Sequence, residues 1–441
     1  MARGAVGIGL IGLGTIGTGV VKVLARNAHV IEQRLGIPLR MVRIADLDTS
    51  RDRGVDLDGI KFDADAEALI ADPRVEIVIE LIGGTGAARN LILAAIERGK
   101  HVVTANKALL AHHGGEIFDA ASRKGVDVAF EASVGGGIPI LRAIREGLVA
   151  NRIESVRGIV NGTTNYVLCE MERGGEDQAV VVERAQELGY AEADPSFDLD
   201  GIDAAHKLAL LAAMAFGVQL TPKQIPTEGI RGLTPIDFDA AREFGFRIKL
   251  LAIARAHRSA SGGERIEARV QPTLLPERSM LAGVDGAMNA VAVTGDAVGP
   301  TLFYGAGAGE MPTASAVVSD LVELAREIRR GAARRVAPLS YLPEALHELP
   351  LVSQDEVFGR SYLRFTAQDR PGVLGRIAGV LGEHAIGIES VLQKGRHDTA
   401  SVPVLMLTHP ASEAAVRAAL SQIDRMPDVT APTRQIRIEE G

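Results

Sequence analysis

The densest group of reactive side chains is the stretch "AQELGYAEADPSFDLDGIDAAHK", residues 185–207. A helical pattern ends at Gly189, a loop carrying Glu192, Asp194, Asp198 and Asp200 follows, and a second helical pattern carries Asp203 and Lys207. Positions i and i+4 share a helix face, so this carboxylate and this ammonium are presented together. Taken alone, such a pair is a surface contact worth about 0.2–0.5 kcal/mol, and Asp194 before Pro195 suits a turn. Four acids crowded before the helix make the segment a candidate for chemistry, since Asp, Glu and Lys are groups that hold and transfer protons.

A second group is made of glycines. In "VGIGLIGLGTIGTGV", residues 6–20, an apolar run breaks at Gly12, Gly14 and Gly17 and resumes at helical spacing. A G-x-G-x-x-G turn that follows a strand and opens a helix is the context a dinucleotide site requires. Gly12 permits the tight turn, Gly14 lets the backbone approach a pyrophosphate, and Gly17 lets helix and strand pack closely. Thr15 and Ile16 open the helix, whose free N–H groups and dipole face the phosphates. Asp46, within "RIADLD" at the end of the second strand, suits the ribose hydroxyls, although it lies farther along than the usual spacing of about 20 residues, as a long first helix would require. Arg43 and Arg51 suit a 2′-phosphate instead, so NAD and NADP both stay open.

These groups need elements to hold them. From residue 5 to about 130, "AVGIGLIG", "LRMVRIAD", "EIVIELIGG", "HVVTANK" and "DVAFEAS" read as strands separated by amphipathic helices. That alternation predicts an α/β fold, a Rossmann-type parallel sheet covered on both faces. Residues 134–311 read as helices, among them "GIPILRAIREGLV", followed by strands, an α+β second domain, to which the family resemblance described below gives the catalytic and dimerisation roles. The helix at 312–331 completes the first domain, residues 1–133. A polar, Pro-containing linker covers 332–358, and residues 359–441 repeat a strand-helix-strand order, a ferredoxin-like module.

Composition narrows the class further. The chain has 441 residues, 46% hydrophobic and 24% charged, and no run of the about 18 apolar residues that a membrane helix needs. A net charge of -8, no Trp and only five Tyr argue against a nucleic-acid partner. The single cysteine, Cys169, excludes an internal disulfide and fits a reducing, cytoplasmic compartment. It sits in an apolar helical pattern, so a buried structural thiol is expected. His112 and His113 are adjacent and make a poor metal pair.

Residues 185–207 resemble the signature of homoserine dehydrogenases: Ala, Gly, an aromatic, Asp-Pro, Asp-Leu-x-Gly-x-Asp, and a Lys after three more residues. "TANKALLA" (104–111), "EASVGGGIPI" (131–140), "NGTTNY" (161–166) and "YGAGAGEMPTASAV" (304–317) are similar to that family in its own order. The resemblance implies interconversion of L-aspartate 4-semialdehyde and L-homoserine with NAD or NADP. It assigns Lys207 as proton donor to the oxygen that gains charge when hydride reaches the aldehyde. It assigns Glu192 and Asp203 to the substrate. Lys107 is the second lysine it places at the site, for cofactor, for substrate, or for lowering the pKa of Lys207. Gly189 and Gly307 match positions near the cofactor, with a helix end and a tight turn as the alternative explanations.

In that family, backbone carbonyls of the "EASVGGGIP" loop hold a monovalent cation, sodium, which maps to Glu131, Val134, Gly136 and Ile138. Oxygen ligands suit a hard cation. A plain Gly-rich connector explains the same residues. "FTAQDRPGVLGRIAGVLGEHAIGIESVLQ" looks like an ACT domain, whose pairing implies a homodimer or homotetramer and whose family pattern implies threonine as effector. Gly387 stands where many relatives carry a polar residue. No kinase-like segment precedes residue 1, so a monofunctional enzyme is expected.

Overall fold

The computed structural model describes residues 4–258, 263–393 and 401–440. Contacts divide the chain into two units: Met1–Val160, Ala205–Ile225 and Met288–Leu349 form one, and Asn161–Ala204, Pro226–Ala287 and Pro350–Gly441 the other.

In the first unit, β1 (Val6–Ile11), β2 (Leu39–Ala45), β3 (Lys61–Asp63), β4 (Ile77–Glu80), β5 (His101–Thr104) and β6 (Val128–Ala129) form a parallel sheet in the order β3-β2-β1-β4-β5-β6. The near-continuous apolar strands follow from burial on both faces: every residue of β1 and of β4 is buried. Ile8, Leu10, Ile44, Ile77, Ile79 and Val103 meet Val20, Val317 and Leu321 of the covering helices in one core. The helix Glu310–Arg330 lies so close to the helix Thr15–Arg26 that a side chain at Gly19 would come within 2.8 Å of Glu310. The strand order reverses between β1 and β4, the switch point where open α/β sheets bind ligands.

Two local expectations change. The segment after the glycine turn is two helices, Thr15–Arg26 and Ala28–Leu35, broken at Asn27, so an added helix and not one long one separates Asp46 from the turn. The segment "GIPILRAIREGLV" winds as a short helix, Ile140–Arg142, followed by a π-helical turn, Ala143–Gly147. The rest of this unit includes three antiparallel strands, Ile153–Ile159, Met288–Gly295 and Gly299–Ala306, and Ala205–Phe216 of the helix Ile202–Phe216.

The second unit holds the helices Gly162–Gly174, Gln178–Glu187, Ser196–Leu199 and Pro235–Glu243 and the long strands Phe246–Arg258 and Glu264–Pro276, paired antiparallel. Its last part is β-α-β-β-α-β: Phe358–Gln368, Val373–Glu383, Ile388–Leu392, Ser401–Thr408, Glu413–Ile423 and Val429–Ile438. Leu363, Phe365, Ile377, Leu381, Met406 and Val416 form its core. The last strand runs parallel to Glu264–Pro276, with Ile438 opposite Leu274, so the C-terminal module shares a sheet with the long hairpin. Among the described residues no helix is long and apolar enough to cross a membrane.

Candidate functional site

The first unit carries the glycine turn at the carboxyl end of β1. Gly12 has φ +98°, a left-handed value that only glycine adopts freely, and a side chain there would meet Leu81 at 2.8 Å. A side chain on Gly17 would stand 2.1 Å from the Gly12 carbonyl oxygen, so the helix packs directly on the turn. Gly14 has nothing within 4 Å of the place its side chain would take. One glycine turns, one packs, and the third faces open space at the N-cap of the helix Thr15–Arg26, where free N–H groups suit a pyrophosphate.

The corner expected to read the ribose differs in detail. Asp46 accepts from the Leu13 N–H at 2.6 Å and from the Asp48 N–H at 2.9 Å, so its carboxylate braces the glycine turn itself. Arg43 is buried and doubly bonded to Asp63, which removes it as a phosphate ligand. The cation beside Asp46 is Arg53, which donates to the Leu13 carbonyl at 2.7 Å and to Asp46 at 3.3 Å. Sequence spacing offered no signal for it, because the loop from 46 to 60 folds back on the turn.

Lys107 opens the helix Lys107–Lys124, half-buried, just past the carboxyl end of β5. A buried network sets that turn. The Thr104 hydroxyl donates to Glu80 at 2.7 Å and accepts from the Asn106 N–H, while Glu80 takes the Ile82 and Gly83 N–H groups. Asn106 caps the helix through Leu109 and donates to the Gly84 carbonyl. Glu80 and Thr104, fully buried in runs that read as apolar strands, escaped the sequence reading.

The loop 131–138 is bent by Gly135 and Gly136, with φ +74° and +55°. A side chain on Gly136 would meet the Gly307 carbonyl oxygen at 2.4 Å, which shows why two glycine-rich segments far apart in sequence face each other. The Gly137 N–H donates to the Ala306 carbonyl at 3.0 Å. Beside Gly307 lies Asn289, fully buried, with neither side-chain amide atom hydrogen-bonded. An orphaned amide next to buried carbonyls fits a polar occupant such as a cation or a water.

The Glu131 side chain is fully engaged within the fold. Its carboxylate accepts the Leu141 and Arg142 N–H groups, capping the short helix, while Asp320 accepts the Glu131 N–H at 2.8 Å. Burial first, and then Asp320, pushes the Glu131 carboxyl up to about 7, and burial raises Asp320 to about 6. The Lys207 ammonium, half-buried on the helix Ile202–Phe216, donates to the Val160 carbonyl at 2.6 Å. His112 and His206 stack edge to face, their ring centroids 5.2 Å apart.

The second unit holds the acids. Asp203 is 4% exposed, and its Oδ2 accepts from Asn161 Nδ2 at 2.8 Å. The same nitrogen donates to Asp198 Oδ1 at 2.7 Å. Two carboxylates thus share one neutral donor, an anionic pair suited to an ammonium. Glu192 is exposed, in a loop held through its own and the Ala193 carbonyl by Gln186. Gly189, with φ +76°, follows the helix Gln178–Glu187 as its turn-off residue. Asp194 accepts the Ser196 N–H, the turn role its place before Pro195 suggested. Asp200 pairs with Arg231. Asn161 was visible only as part of "NGTTNY", and a helix-capping Asn is the signal that marks it.

Cys169 is buried, receives a hydrogen bond from Lys249 at 3.2 Å, and has its thiol pushed up by burial, the structural thiol expected of it. Among the described residues no group of three or more His, Cys, Asp and Glu is placed to hold a metal. In the C-terminal module, Pro371 and Gly372 form an exposed turn before the helix Val373–Glu383, with Gly372 at φ +86°. The space a side chain at Gly387 would need is bounded by the His409 ring at 3.0 Å.

Residues 139–322 match the family described as Homoserine dehydrogenase, residues 12–131 its NAD binding domain, and residues 361–428 the ACT domain. The chain is 46% identical over 434 residues to the homoserine dehydrogenase of Neisseria gonorrhoeae, covering 98% of each. It is 47% identical over 437 residues to that of Pseudomonas aeruginosa, covering 99% of each. Among solved structures it resembles a homoserine dehydrogenase from Thiobacillus denitrificans, with 48% identity, a TM-score of 0.91 and coverage of 99% of this chain and 98% of that one. The S. aureus enzyme at pH 7.5 is 29% identical with a TM-score of 0.75, covering 99% of each chain.

Proposed function

Because the chain belongs to the homoserine dehydrogenase family of NAD(P)-dependent oxidoreductases, we propose that its own substrates are L-homoserine and L-aspartate 4-semialdehyde. The observation that carries this reading is the anionic pair Asp198 and Asp203 on one side-chain nitrogen, with Lys207 one turn beyond Asp203 on the same helix. A substrate with an ammonium at one end and an aldehyde at the other needs both features.

The turn Gly12–Gly17 and the Lys107 helix start would hold the dinucleotide, together with Gly307; when bound, the nicotinamide supplies or takes the hydride. Asp203, Asp198 and Glu192 bind the substrate ammonium and fix its distance from the reacting carbon. Lys207 Nζ gives its proton to the oxygen as the carbonyl becomes an alcohol, and takes it back in the opposite direction. An unperturbed lysine, with a pKa of about 10.4, transfers protons poorly at neutral pH. Lys107 is the second lysine of the proposed machinery, for cofactor or for substrate.

The carbonyls of Glu131, Val134, Gly136 and Ile138 would hold a sodium ion, a reading supported by the orphaned Asn289 amide beside Gly307. Threonine is proposed as the effector of the C-terminal module, its carboxylate on the N–H groups after Pro371. Modules of this kind act in pairs, so the enzyme works as a homodimer or homotetramer, and its single buried thiol suits the cytoplasm.

The test is Lys207→Ala. Turnover of homoserine should fall by about 10²–10⁴-fold while NAD(P)H still binds, as read by nicotinamide fluorescence. Retained turnover would remove Lys207 from the chemistry. Rates with NAD(H) against NADP(H), each with and without threonine, test the Asp46–Arg53 corner and the effector in one series; rates indifferent to threonine would withdraw it.

A further inference from the structure

We propose that Asn161 is a positioning residue for Asp198 and Asp203, the carboxylates read as binding the substrate, an assignment that rests on the homoserine reading above. Asn161 is 6% exposed and stands at the N-cap of the helix Gly162–Gly174. Its Oδ1 accepts from the Thr164 N–H at 2.8 Å and lies 2.8 Å from the Thr164 hydroxyl. Its Nδ2 donates to Asp198 at 2.7 Å and to Asp203 at 2.8 Å. A carboxamide has two donor hydrogens and two acceptor lone pairs, and all four are used. Rotating the amide by half a turn would set its NH₂ against the Thr164 N–H, so its orientation is determined.

Capping explains only half of this arrangement. Ser, Thr, Asp and Asn all cap a helix through an oxygen, whereas only Asn among them brings a second group with two N–H bonds. Those bonds draw together carboxylates from two segments, the turn Ser196–Leu199 and the start of the helix Ile202–Phe216. Like charges so close would otherwise separate or take up a proton. Because the donor is neutral, Asn161 gathers the two carboxylates without adding a positive charge of its own. A cationic donor in the same place would have neutralised the site it organises.

The decisive variant is Asn161→Asp, which keeps the shape and the capping oxygen and exchanges the donor for an acceptor. Its KM for homoserine should rise at least tenfold, while the Kd for NAD(P)H stays within twofold. An unchanged KM, or an equal loss of cofactor affinity, overturns the assignment. Should that variant fail to fold, Asn161→Gly decides, because glycine is tolerated at an N-cap; it must show the same selective rise in KM. A parent enzyme without homoserine turnover would sink the functional reading itself. A parent that turns over while the variant keeps its KM sinks the role of Asn161 alone.

Discussion

The glycine turn offers a contrast in which one substitution, Gly to Ala, has opposite consequences at two positions three residues apart. At Gly17 the new methyl group would lie 2.1 Å from the Gly12 carbonyl oxygen, more than 1 Å inside van der Waals contact, so the turn or the helix must shift. Overpacking of this kind costs about 1–3 kcal/mol. At Gly14 the methyl group meets no atom within 4 Å, and exchanging Gly for Ala at an N-cap costs roughly 1 kcal/mol or less. That methyl group points into the space read as the pyrophosphate site. Losing one hydrogen bond to a charged group costs about 1.5–3 kcal/mol, a ten- to hundredfold rise in Kd. Gly14→Ala should therefore fold nearly as well as the parent and bind NAD(P)H poorly. Gly17→Ala should lose stability first. Urea unfolding followed by circular dichroism suits a chain with no Trp, and nicotinamide fluorescence reports binding. Parental cofactor affinity in Gly14→Ala would refute the placement of the pyrophosphate, and parental stability in Gly17→Ala would refute the close approach of helix and turn.

Glu131 and Asp320 predict a pH dependence of stability. Both are acids whose folded pKa is raised, to about 7 and about 6, so the folded chain keeps protons that the unfolded chain releases near 4–4.5. Their contribution is therefore most favourable below pH 4, declines as pH rises from about 4 to 7, and is constant above that. For Glu131 the decline amounts to about 3 kcal/mol. Unfolding free energies at pH 5 and 7.5 should differ less in Glu131→Gln than in the parent, and an unchanged difference would exclude Glu131 as the source. In the second unit, a side chain on Gly229 would lie 2.1 Å from the Leu199 carbonyl oxygen, beside the turn that carries Asp198. Gly229→Ala is expected to raise the KM for homoserine and leave cofactor affinity unchanged; a normal KM would separate this contact from the substrate loop.

What could be read from residues alone was local. Burial on both faces writes itself into β1 and β4 as unbroken apolar runs, and a turn that must avoid side chains writes itself as Gly12 and Gly17. The β-α-β-β-α-β order of the C-terminal module follows from the same periodicities. The signature at 185–207 made Asp203 and Lys207 stand out, because a shared helix face depends only on spacing. Arg43 misled for an equally plain reason: its nearness in sequence to Asp46 says nothing of Asp63, whose two carboxylate oxygens both accept from its Nη2.

The remaining relationships belong to the tertiary structure. Asn161 and Asp198 are 37 positions apart, Gly136 and Gly307 lie on different glycine-rich segments, and Asp320 reaches Glu131 across 189 positions. No period or spacing encodes such pairs, since each depends on which surfaces meet once whole elements have packed. Sequence alone therefore determined which chemical groups this protein possesses and which elements carry them. Folding decided which of those groups are neighbours, because hydrogen bonding and desolvation act at a few ångströms in space regardless of separation along the chain.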